Sequence, residues 1–400
     1  MSKPSPFGDP STHRNWKTIL ADHESSGLSV KKFCEQNNIN LGYFYERRAA
    51  HKKSANRKST RESCDIIRII EEEYRPRSFG GKTLKFLPHQ RRIANEMFRL
   101  EDVPGKPGQQ RFKYTTMVWS CPKKSGKTEI AGAVTYAFAR LFGGEMYSIA
   151  NDLEGAKNRM FDRVEQSLIM LREHDRERFD QVVLTNSRGG VATRGQIEFA
   201  DDNQRNHGPH TLRYIASDYA GEAGAMNSLV VFDELWAVSS ERGERLWTEM
   251  QPIPNLAASI RFVTTYAGFY GESGLLWRLY ENVVKPDPHT NEEHGRRIEG
   301  LEDLPIYLSD DNSTIVYWDH EARMPWHTEE ALNRAQTDPS MIGRESEYRR
   351  LWHNEWSSGV EAFIEMGVVD RAIARGEMAG LENNLSQIMR GVEAGAGALV

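Results

Sequence analysis

Long hydrophobic stretches are missing from this chain of 400 residues. No apolar run approaches the roughly 20 residues of a membrane-spanning helix, and the N-terminus lacks the apolar centre of a signal peptide. Cysteine is also scarce, since Cys34, Cys64 and Cys121 lie far apart and form no metal-spaced pair. These absences argue against a helical membrane protein and a disulfide-rich secreted domain. They predict a cytoplasmic protein with free thiols.

Acidic residues are missing from one stretch, residues 47–61, which holds seven basic residues. The net charge of the chain is −5, but residues 1–63 carry twelve Lys/Arg against six Asp/Glu, hence +6, and the remainder carries −11. A basic run is typical either of a solvated linker or of a segment that contacts nucleic-acid phosphates. Taken alone, the charge pattern favours the linker.

The residues before the basic run change that balance towards DNA binding. Short helical patterns begin at Trp16 and after Ser29, and an aromatic-basic end follows at 43–48. Residues 26–39 with this end resemble the helix-turn-helix of transposase accessory proteins. We predict a DNA-binding segment at 1–48 and a basic linker at 49–75, with a small protein–protein module as the alternative. The predicted DNA-binding residues are Lys31, Lys32, Tyr43, Arg47, Arg48, Lys52 and Lys53.

A glycine is missing from the most informative motif of the chain. Residues 114–130 suggest a buried strand, a loop ending in Gly-Lys-Thr, and an amphipathic helix. This order suits a triphosphate site of the pattern G-x-x-x-x-G-K-[ST], although Cys121 stands at the first glycine position. In such a loop backbone N–H groups bind phosphate, the lysine reaches the β and γ oxygens, and the threonine hydroxyl holds Mg²⁺. The predicted ATP-binding residues are Pro122, Lys123, Lys124, Ser125, Gly126, Lys127 and Thr128.

Two acidic residues complete the predicted catalytic site. Residues 228–232 form an apolar strand that ends in Asp233 and Glu234. Because such a strand ends beside the phosphate loop, we expect Asp233 to hold Mg²⁺ and Glu234 to act as general base for the attacking water. A third strand, 261–266, would place Thr264 and Thr265 near the γ-phosphate, where a hydroxyl would couple hydrolysis to motion.

Strand and helix patterns alternate after residue 84, which predicts an α/β fold. We expect a three-layer P-loop NTPase fold with a mostly parallel sheet over residues 76–290, preceded by the small helical segment. Further predicted strands are 145–150, 182–185, 196–199 and 212–216, and a helix is predicted at 153–172. Gln90 is the candidate for adenine recognition because its amide both donates and accepts. A surface glutamine at a helix start is the alternative.

The motifs in this order resemble the large terminase subunit of tailed phages. The matching stretches are Leu87–Gln90, Pro122–Thr128, Ala150–Lys157, Val230–Trp236, Val263–Gly268 and Arg349–Trp356. The resemblance implies an ATP-driven motor that uses Mg²⁺ to move double-stranded DNA into a procapsid in the host cytoplasm. It also implies a homo-oligomeric ring, with a portal protein and a small terminase subunit as partners and no membrane.

The resemblance also implies roles for basic residues. In this family a basic residue ahead of Gly-Lys acts in cis, so Lys123 or Lys124 would join Lys127 and Glu234 in catalysis. A neighbouring subunit can also supply an arginine. The candidates are Arg159, Arg163, Arg213 and Arg245.

The family normally continues into a metal-dependent nuclease domain. We expect no nuclease activity in this chain and interpret residues 291–400 as an extension towards an absent or truncated nuclease, with its acidic residues, Asp319 among them, on the surface. Two other functions stay open. One is a different DNA-remodelling P-loop ATPase, helicase- or transposon-like, and the other is a non-enzymatic DNA-binding protein with a decayed ATPase.

Overall fold

The chain forms two compact units, residues 1–62 and 63–400. The computed structural model describes residues 65–106, 108–184, 190–193, 195–200, 210–217, 226–254, 256, 258–287, 289–290 and 292–358, together with 19, 23, 26, 28, 30–37, 39, 44, 371 and 375.

The first unit contains a short helix, Val30–Gln36. Phe33 and Cys34 on this helix pack with Phe44 in a small core. Lys31 and Lys32 lie on the exposed face of the helix. The other predicted DNA-binding residues lie outside the described residues: Tyr43, Arg47, Arg48, Lys52 and Lys53.

The second unit is built on a ten-stranded sheet and a separate two-stranded one. The small sheet pairs β1 (Leu100–Asp102) with β2 (Gln110–Phe112). The large sheet contains β3 (Thr116–Ser120), β4 (Glu145–Ala150), β5 (Ala192–Thr193), β6 (Gln196–Phe199), β7 (His210–Ala216), β8 (Asn227–Asp233), β9 (Ile260–Thr265), β10 (Arg296–Arg297), β11 (Ile306–Leu308) and β12 (Thr314–Trp318).

Helices cover the large sheet and flank it. Their bounds are Asp65–Glu73, Pro88–Met97, Lys127–Leu141, Leu153–Ala156, Asp162–His174, Arg176–Val182, Glu241–Glu249, Gly274–Val284, Glu329–Gln336 and Glu345–Trp352. A π-helical turn, Lys157–Phe161, links the fourth and fifth of these. Among the described residues, no helix has both the length and the apolar character that crossing a membrane requires.

The central strands of the large sheet are parallel, and the edges are antiparallel. The spatial order is β10-β11-β12-β3-β9-β8-β4-β7-β6-β5, with parallel pairing from β12 through β7. In this order β9 lies between β3 and β8, and the register pairs Ser120 with Thr265 and Thr264 with Asp233. Three strand ends that are distant in sequence therefore meet at one edge of the sheet.

Two hydrophobic cores occupy the two faces of the sheet. Along β8, Leu229 and Val231 belong to one core and Val230 and Phe232 to the other. The first core includes the apolar face of helix Lys127–Leu141, whereas the second includes residues of helices Glu241–Glu249 and Gly274–Val284. Strands β3, β8 and β9 are buried at every position, because both faces of the sheet are covered. The prediction of an α/β fold with a mostly parallel sheet is confirmed.

Several details differ from the expectations. The predicted strand 182–185 is wrong in part, because Val182 ends a helix and Val183 makes only an isolated bridge to Phe199. The sheet also continues past residue 290, where we expected the core to end, since β12 pairs with β3. Asp319 is buried, not on the surface, and accepts a hydrogen bond from Arg323 at 2.7 Å.

Candidate nucleotide-binding site

The loop between β3 and helix Lys127–Leu141 contains two residues with a positive φ, Lys124 and Gly126. Gly126 caps helix Lys127–Leu141 at φ 78°, a left-handed conformation that glycine adopts without strain. Lys124 also has a positive φ, 66°. Two outside contacts hold the loop: the Lys123 N–H donates to the Leu351 carbonyl at 2.6 Å, and the Trp326 indole N–H donates to the Lys124 carbonyl at 2.9 Å.

Cys121 replaces the glycine that usually begins this loop, and the structure accommodates it. The side chain is buried at the end of β3. Burial raises the pKa of the Cys121 thiol, against the effect of the nearby Lys127. The thiol therefore stays neutral at physiological pH and adds no negative charge beside a phosphate-binding loop.

Lys127 is a buried cation at the start of the helix, only 5% exposed. Its ammonium donates to the carbonyl oxygens of Cys121 at 2.8 Å and Pro122 at 3.1 Å. It also lies 4.9 Å from the centre of the Tyr266 ring. Both hydrogen-bond partners are neutral, while the Lys127 charge also acts on the nearby Asp233 and Glu234 carboxylates. A flexible lysine can exchange the carbonyl oxygens for phosphate oxygens.

Asp233 joins the loop to the third motif. Its carboxylate accepts hydrogen bonds from the Thr128 hydroxyl at 3.2 Å and the Thr264 hydroxyl at 2.8 Å. Burial raises the pKa of Asp233, whereas the Thr264 hydroxyl, the Arg159 charge and the Thr128 hydroxyl lower it. A cation placed at this carboxylate would offset the cost of burying its charge.

The residues around Asp233 suit Mg²⁺ better than a metal with an all-protein ligand set. No cluster of three or more His, Cys, Asp or Glu in the described part of the chain is arranged for a metal. Mg²⁺, however, usually takes one or two protein oxygens and completes its shell with phosphate and water. The Thr128 hydroxyl and the Asp233 carboxylate fit that requirement.

Glu234 follows the strand in a left-handed backbone conformation, φ 60° and ψ 53°. Its N–H donates to the Thr264 carbonyl at 2.7 Å, and its carboxylate accepts the Trp236 indole N–H at 2.7 Å. Burial raises the pKa of Glu234 to about 7; the Lys127 charge opposes the increase and the Asp233 charge adds to it. A carboxylate with a pKa near neutrality suits a general base.

Thr264 and Thr265 are both fully buried at the end of β9. Thr264 contacts Asp233, as described above, and the Thr265 hydroxyl accepts the Trp236 backbone N–H at 3.3 Å. Both threonines therefore contact the segment that carries the acidic pair. Their coupling role stays a prediction.

Gln90 lies near the start of helix Pro88–Met97, and its side-chain amide contacts protein groups. The side-chain oxygen accepts the Leu87 N–H at 3.0 Å and caps helix Pro88–Met97, and the side-chain nitrogen lies 3.6 Å from the Met324 sulfur. It lines a small cavity that Cys121 and Ser125 also line. Gln90 is buried, so it is not the surface glutamine of the alternative, although it does lie at a helix start. Its role in adenine binding stays a prediction.

The four candidate arginines occupy different surroundings. Arg159, on the π-helical turn, lowers the pKa values of both Asp233 and Glu234 through its charge. The other three have contacts outside the acidic pair: Arg163 with Glu129 at 3.9 Å, Arg213 with Gln196 at 3.3 Å, and Arg245 with Glu241 at 2.5 Å. Their roles towards a neighbouring subunit stay untested predictions.

Sequence reasoning missed the C-terminal part of the site. Asn354 is fully buried at φ 52°, accepts the Ala267 N–H at 2.7 Å, and donates to the Ser120 hydroxyl at 3.0 Å and the Asp319 carbonyl at 3.0 Å. Arg350, 3% exposed, donates to the Ala267 carbonyl at 3.1 Å. The stretch Arg349–Trp356 was part of the motif resemblance, but no periodicity or spacing assigns these two residues to the nucleotide site.

Comparison with known proteins gives structural similarity only. No protein-family model and no curated protein sequence matches the chain. The structure of the bacteriophage HK97 large terminase has a TM-score of 0.46 and 13% identity, covering 73% of this chain and 55% of that one. The Thermus phage P74-26 large terminase ATPase domain has a TM-score of 0.38 and 18% identity, covering 60% and 88%. The chain spans about half the length of the HK97 protein.

Proposed function

We propose that this chain hydrolyses Mg²⁺-bound ATP at the edge of the sheet where β3, β8 and β9 end. The observation that carries the proposal is the pair of hydrogen bonds from Thr128 and Thr264 to Asp233, at 3.2 and 2.8 Å. These contacts join residues 105 and 31 positions apart. A loop lysine, a hydroxyl, and two acids in one place form the usual apparatus of phosphoryl transfer to water.

Each residue has a chemical role in this proposal. The backbone N–H groups of the loop and the Lys127 ammonium bind the β and γ phosphates. Thr128 and Asp233 hold Mg²⁺, which when bound neutralises charge on the phosphate oxygens. Glu234 accepts the proton of the attacking water, and the Trp236 indole N–H orients the carboxylate. Lys123 or Lys124 supplies additional positive charge from the loop.

The more specific proposal is a motor subunit that packages viral double-stranded DNA. Its support is the order of the sequence motifs, which resembles that of large terminases, together with the basic charge of residues 1–63. In this proposal the subunit works as a homo-oligomeric ring with a portal protein and a small terminase subunit. The segment around Lys31 and Lys32 binds DNA, and Thr264 and Thr265 couple hydrolysis to movement.

Steady-state ATP turnover tests the site directly. Lys127→Ala should weaken nucleotide binding, and Glu234→Gln should bind ATP but lower kcat by about 10²–10⁴-fold because the general base is lost. Glu72→Gln is a matched control, since this exposed glutamate on helix Asp65–Glu73 pairs with Arg68 and neither residue has a role in the proposal. Turnover that survives both site changes would remove the assignment of the site. Absence of turnover in the wild type would instead favour a DNA-binding protein with a decayed ATPase.

Salt-dependent DNA binding tests the N-terminal segment in the full-length chain. Replacing both Lys31 and Lys32 with Ala should reduce the slope of log Kobs against log salt by about 2, because each phosphate contact contributes about 0.9. The matched control replaces Lys82 and Lys106, two exposed lysines of the second unit. An unchanged slope in the Lys31/Lys32 variant would indicate a protein-docking module instead.

A further inference from the structure

Arg350 is a buried cation held by one acid and one carbonyl. It lies on helix Glu345–Trp352, is 3% exposed, and makes two hydrogen bonds to the Glu347 carboxylate at 2.8 and 2.9 Å. A third hydrogen bond, from Nη1, reaches the Ala267 carbonyl at 3.1 Å. Ala267 follows the strand that ends in Thr265, so the guanidinium is fixed beside the nucleotide site.

Three aromatic rings surround the same guanidinium. Its central carbon lies 4.6 Å from the Trp236 ring centre, 5.0 Å from that of Tyr266 and 4.2 Å from that of Phe269. Trp236 follows β8, whereas Tyr266 and Phe269 follow β9. A planar arginine stacked on an aromatic ring is attracted by the negative face of the ring, more strongly when both are desolvated. Arg350 thus joins the segments that follow two neighbouring strands.

Trp236 connects this cluster to the proposed general base. The indole N–H donates to the Glu234 carboxylate at 2.7 Å, while the Trp236 backbone N–H binds the Thr265 hydroxyl. An indole has a single N–H, so its hydrogen bond to Glu234 depends on the plane in which the ring is held. Arg350 lies against that ring, with 4.6 Å between its guanidinium carbon and the ring centre.

Stability alone gives a weak reason for an arginine at this position. Replacing a buried ion pair by apolar residues of similar volume is often neutral or stabilising. What an apolar residue cannot supply is the directional stacking on Trp236 together with the hydrogen bond to Ala267. Catalytic groups, in contrast, lose rate when they are displaced by about 1 Å.

We propose that Arg350 is a positioning residue, which fixes the Glu234 carboxylate in its working orientation by holding the Trp236 indole. The proposal rests on the proposed ATPase function and adds to it a residue from the C-terminal helix. Among the described residues, Arg350 makes its hydrogen bonds and ion pair with Glu347 and Ala267, and not with the phosphate loop or Glu234; in the proposal it acts through Trp236. The expected effect is therefore on the chemical step and not on nucleotide binding.

Kinetics of three variants in the full-length chain test the proposal. The first replaces Arg350 with Met and Glu347 with Leu, so that no unpaired charge is buried. The second is Trp236→Phe, which keeps an aromatic ring but removes the N–H, and the third combines both changes. Arg334→Met with Glu330→Leu is the matched control, because both residues lie on helix Glu329–Gln336 and form a hydrogen-bonded ion pair at 2.9 Å that is exposed.

We expect kcat to fall about tenfold or more in the first two variants, with KM for ATP changed less than about twofold. The combined variant should be no slower than the slower of the two, because both changes remove the same restraint. The control should keep the wild-type kcat. An unchanged kcat in Trp236→Phe, or multiplying effects in the combined variant, would overturn the proposal. Where the Arg350 and Glu347 variant does not fold, Arg350→Lys replaces it, because lysine keeps a charge beside Glu347 but lacks the planar guanidinium. An unchanged kcat in Arg350→Lys would also overturn the proposal.

Wild type and Glu234→Gln are measured in the same assay, which separates the two proposals. If Glu234→Gln lowers kcat but Trp236→Phe does not, only the role of Arg350 is overturned. Absence of turnover that depends on Glu234 overturns the proposed function and this inference together.

Discussion

At the scale of single residues, the candidate site contains a buried carboxylate, that of Asp233, whose hydrogen-bond donors are neutral hydroxyl groups. Asp233 is 2% exposed, and hydroxyl groups donate to it from Thr128 and Thr264. Hydroxyls stabilise the carboxylate without cancelling its charge, so its attraction for a divalent cation persists. Lys127 likewise bonds to neutral carbonyls. Both ions are therefore kept available for a ligand of opposite charge.

Thr128→Val should separate nucleotide binding from hydrolysis. Valine preserves the volume but loses the hydroxyl, so we expect ATP binding to persist through Lys127 while kcat falls about 10²-fold, as when one transition-state donor is removed. The Mg²⁺ concentration that gives half-maximal turnover should also rise. Titration of Mg²⁺ in wild type and variant measures both effects, and Thr135→Val, a buried helical threonine bonded to Ala131, is the control. An unchanged Mg²⁺ requirement would show that Thr128 is not a ligand.

At the scale of elements, the segment from helix Glu345–Trp352 to Ser357 packs against the phosphate loop and the ends of β3 and β9. Its Leu351 carbonyl accepts the Lys123 N–H, and its Asn354 side chain bonds to Ser120 and Ala267. This segment follows β12 in sequence, yet it fastens the ends of β3 and β9. The part of the chain that we expected to be an extension thus supplies structural contacts of the nucleotide site.

His320 joins this segment to Glu293 and makes it sensitive to pH. One ring nitrogen lies 2.9 Å from the His353 carbonyl and the other 2.8 Å from the Glu293 carboxylate, so only the protonated ring donates to both. Burial lowers the pKa of His320, but the hydrogen bond and charge of Glu293, helped by the Glu355 charge, outweigh it and raise the pKa above its ordinary value.

The free energy of unfolding should therefore contain a term that decreases with rising pH. A raised folded-state pKa means that the contribution of His320 is complete below the unfolded pKa and is lost as the pH rises through the folded value. Denaturant unfolding of wild type and His320→Gln, over about three pH units around the ordinary histidine pKa of about 6.5, measures the difference. Equal pH dependence in the two proteins would contradict the assignment.

At the scale of the whole molecule, the two compact units differ in net charge. The first unit belongs to the stretch of the chain with net charge +6, whereas the second unit holds most of the acidic residues. The parallel strands of the second unit place their carboxyl ends at one edge, where ligands of open α/β sheets bind. The proposed function therefore assigns DNA recognition to the first unit and ATP hydrolysis to the second.

MgATP should stabilise the second unit against thermal unfolding. At a ligand concentration of about 100 Kd the stabilisation is about 2.7 kcal/mol, because the ligand binds the folded state and not the unfolded one. Calorimetry with and without MgATP should show a higher unfolding temperature for wild type and little change for Lys127→Ala. An equal increase in both proteins would place the nucleotide elsewhere.

By itself, the sequence determined the local elements of this protein. Strand β4, strand β6 and the strand–loop–helix around Lys127 were predicted from apolar periodicity and from the glycine before the helix. These are local properties, because residues close together in the sequence determine them. The alternation of strand and helix patterns after residue 84 also predicted a mostly parallel sheet. The mistaken strand at 182–185 shows the limit, because a β-branched run fits a helix end when packing favours it.

Only the tertiary structure decided which distant residues share the site. The strand order puts β9 between β3 and β8 and thereby brings Thr128, Asp233 and Thr264 into contact. It also buries Arg350 among aromatic rings from two other segments. Burial, hydrogen-bond partners and shifted pKa values depend on the groups that packing places around a residue, and these groups lie far away along the chain.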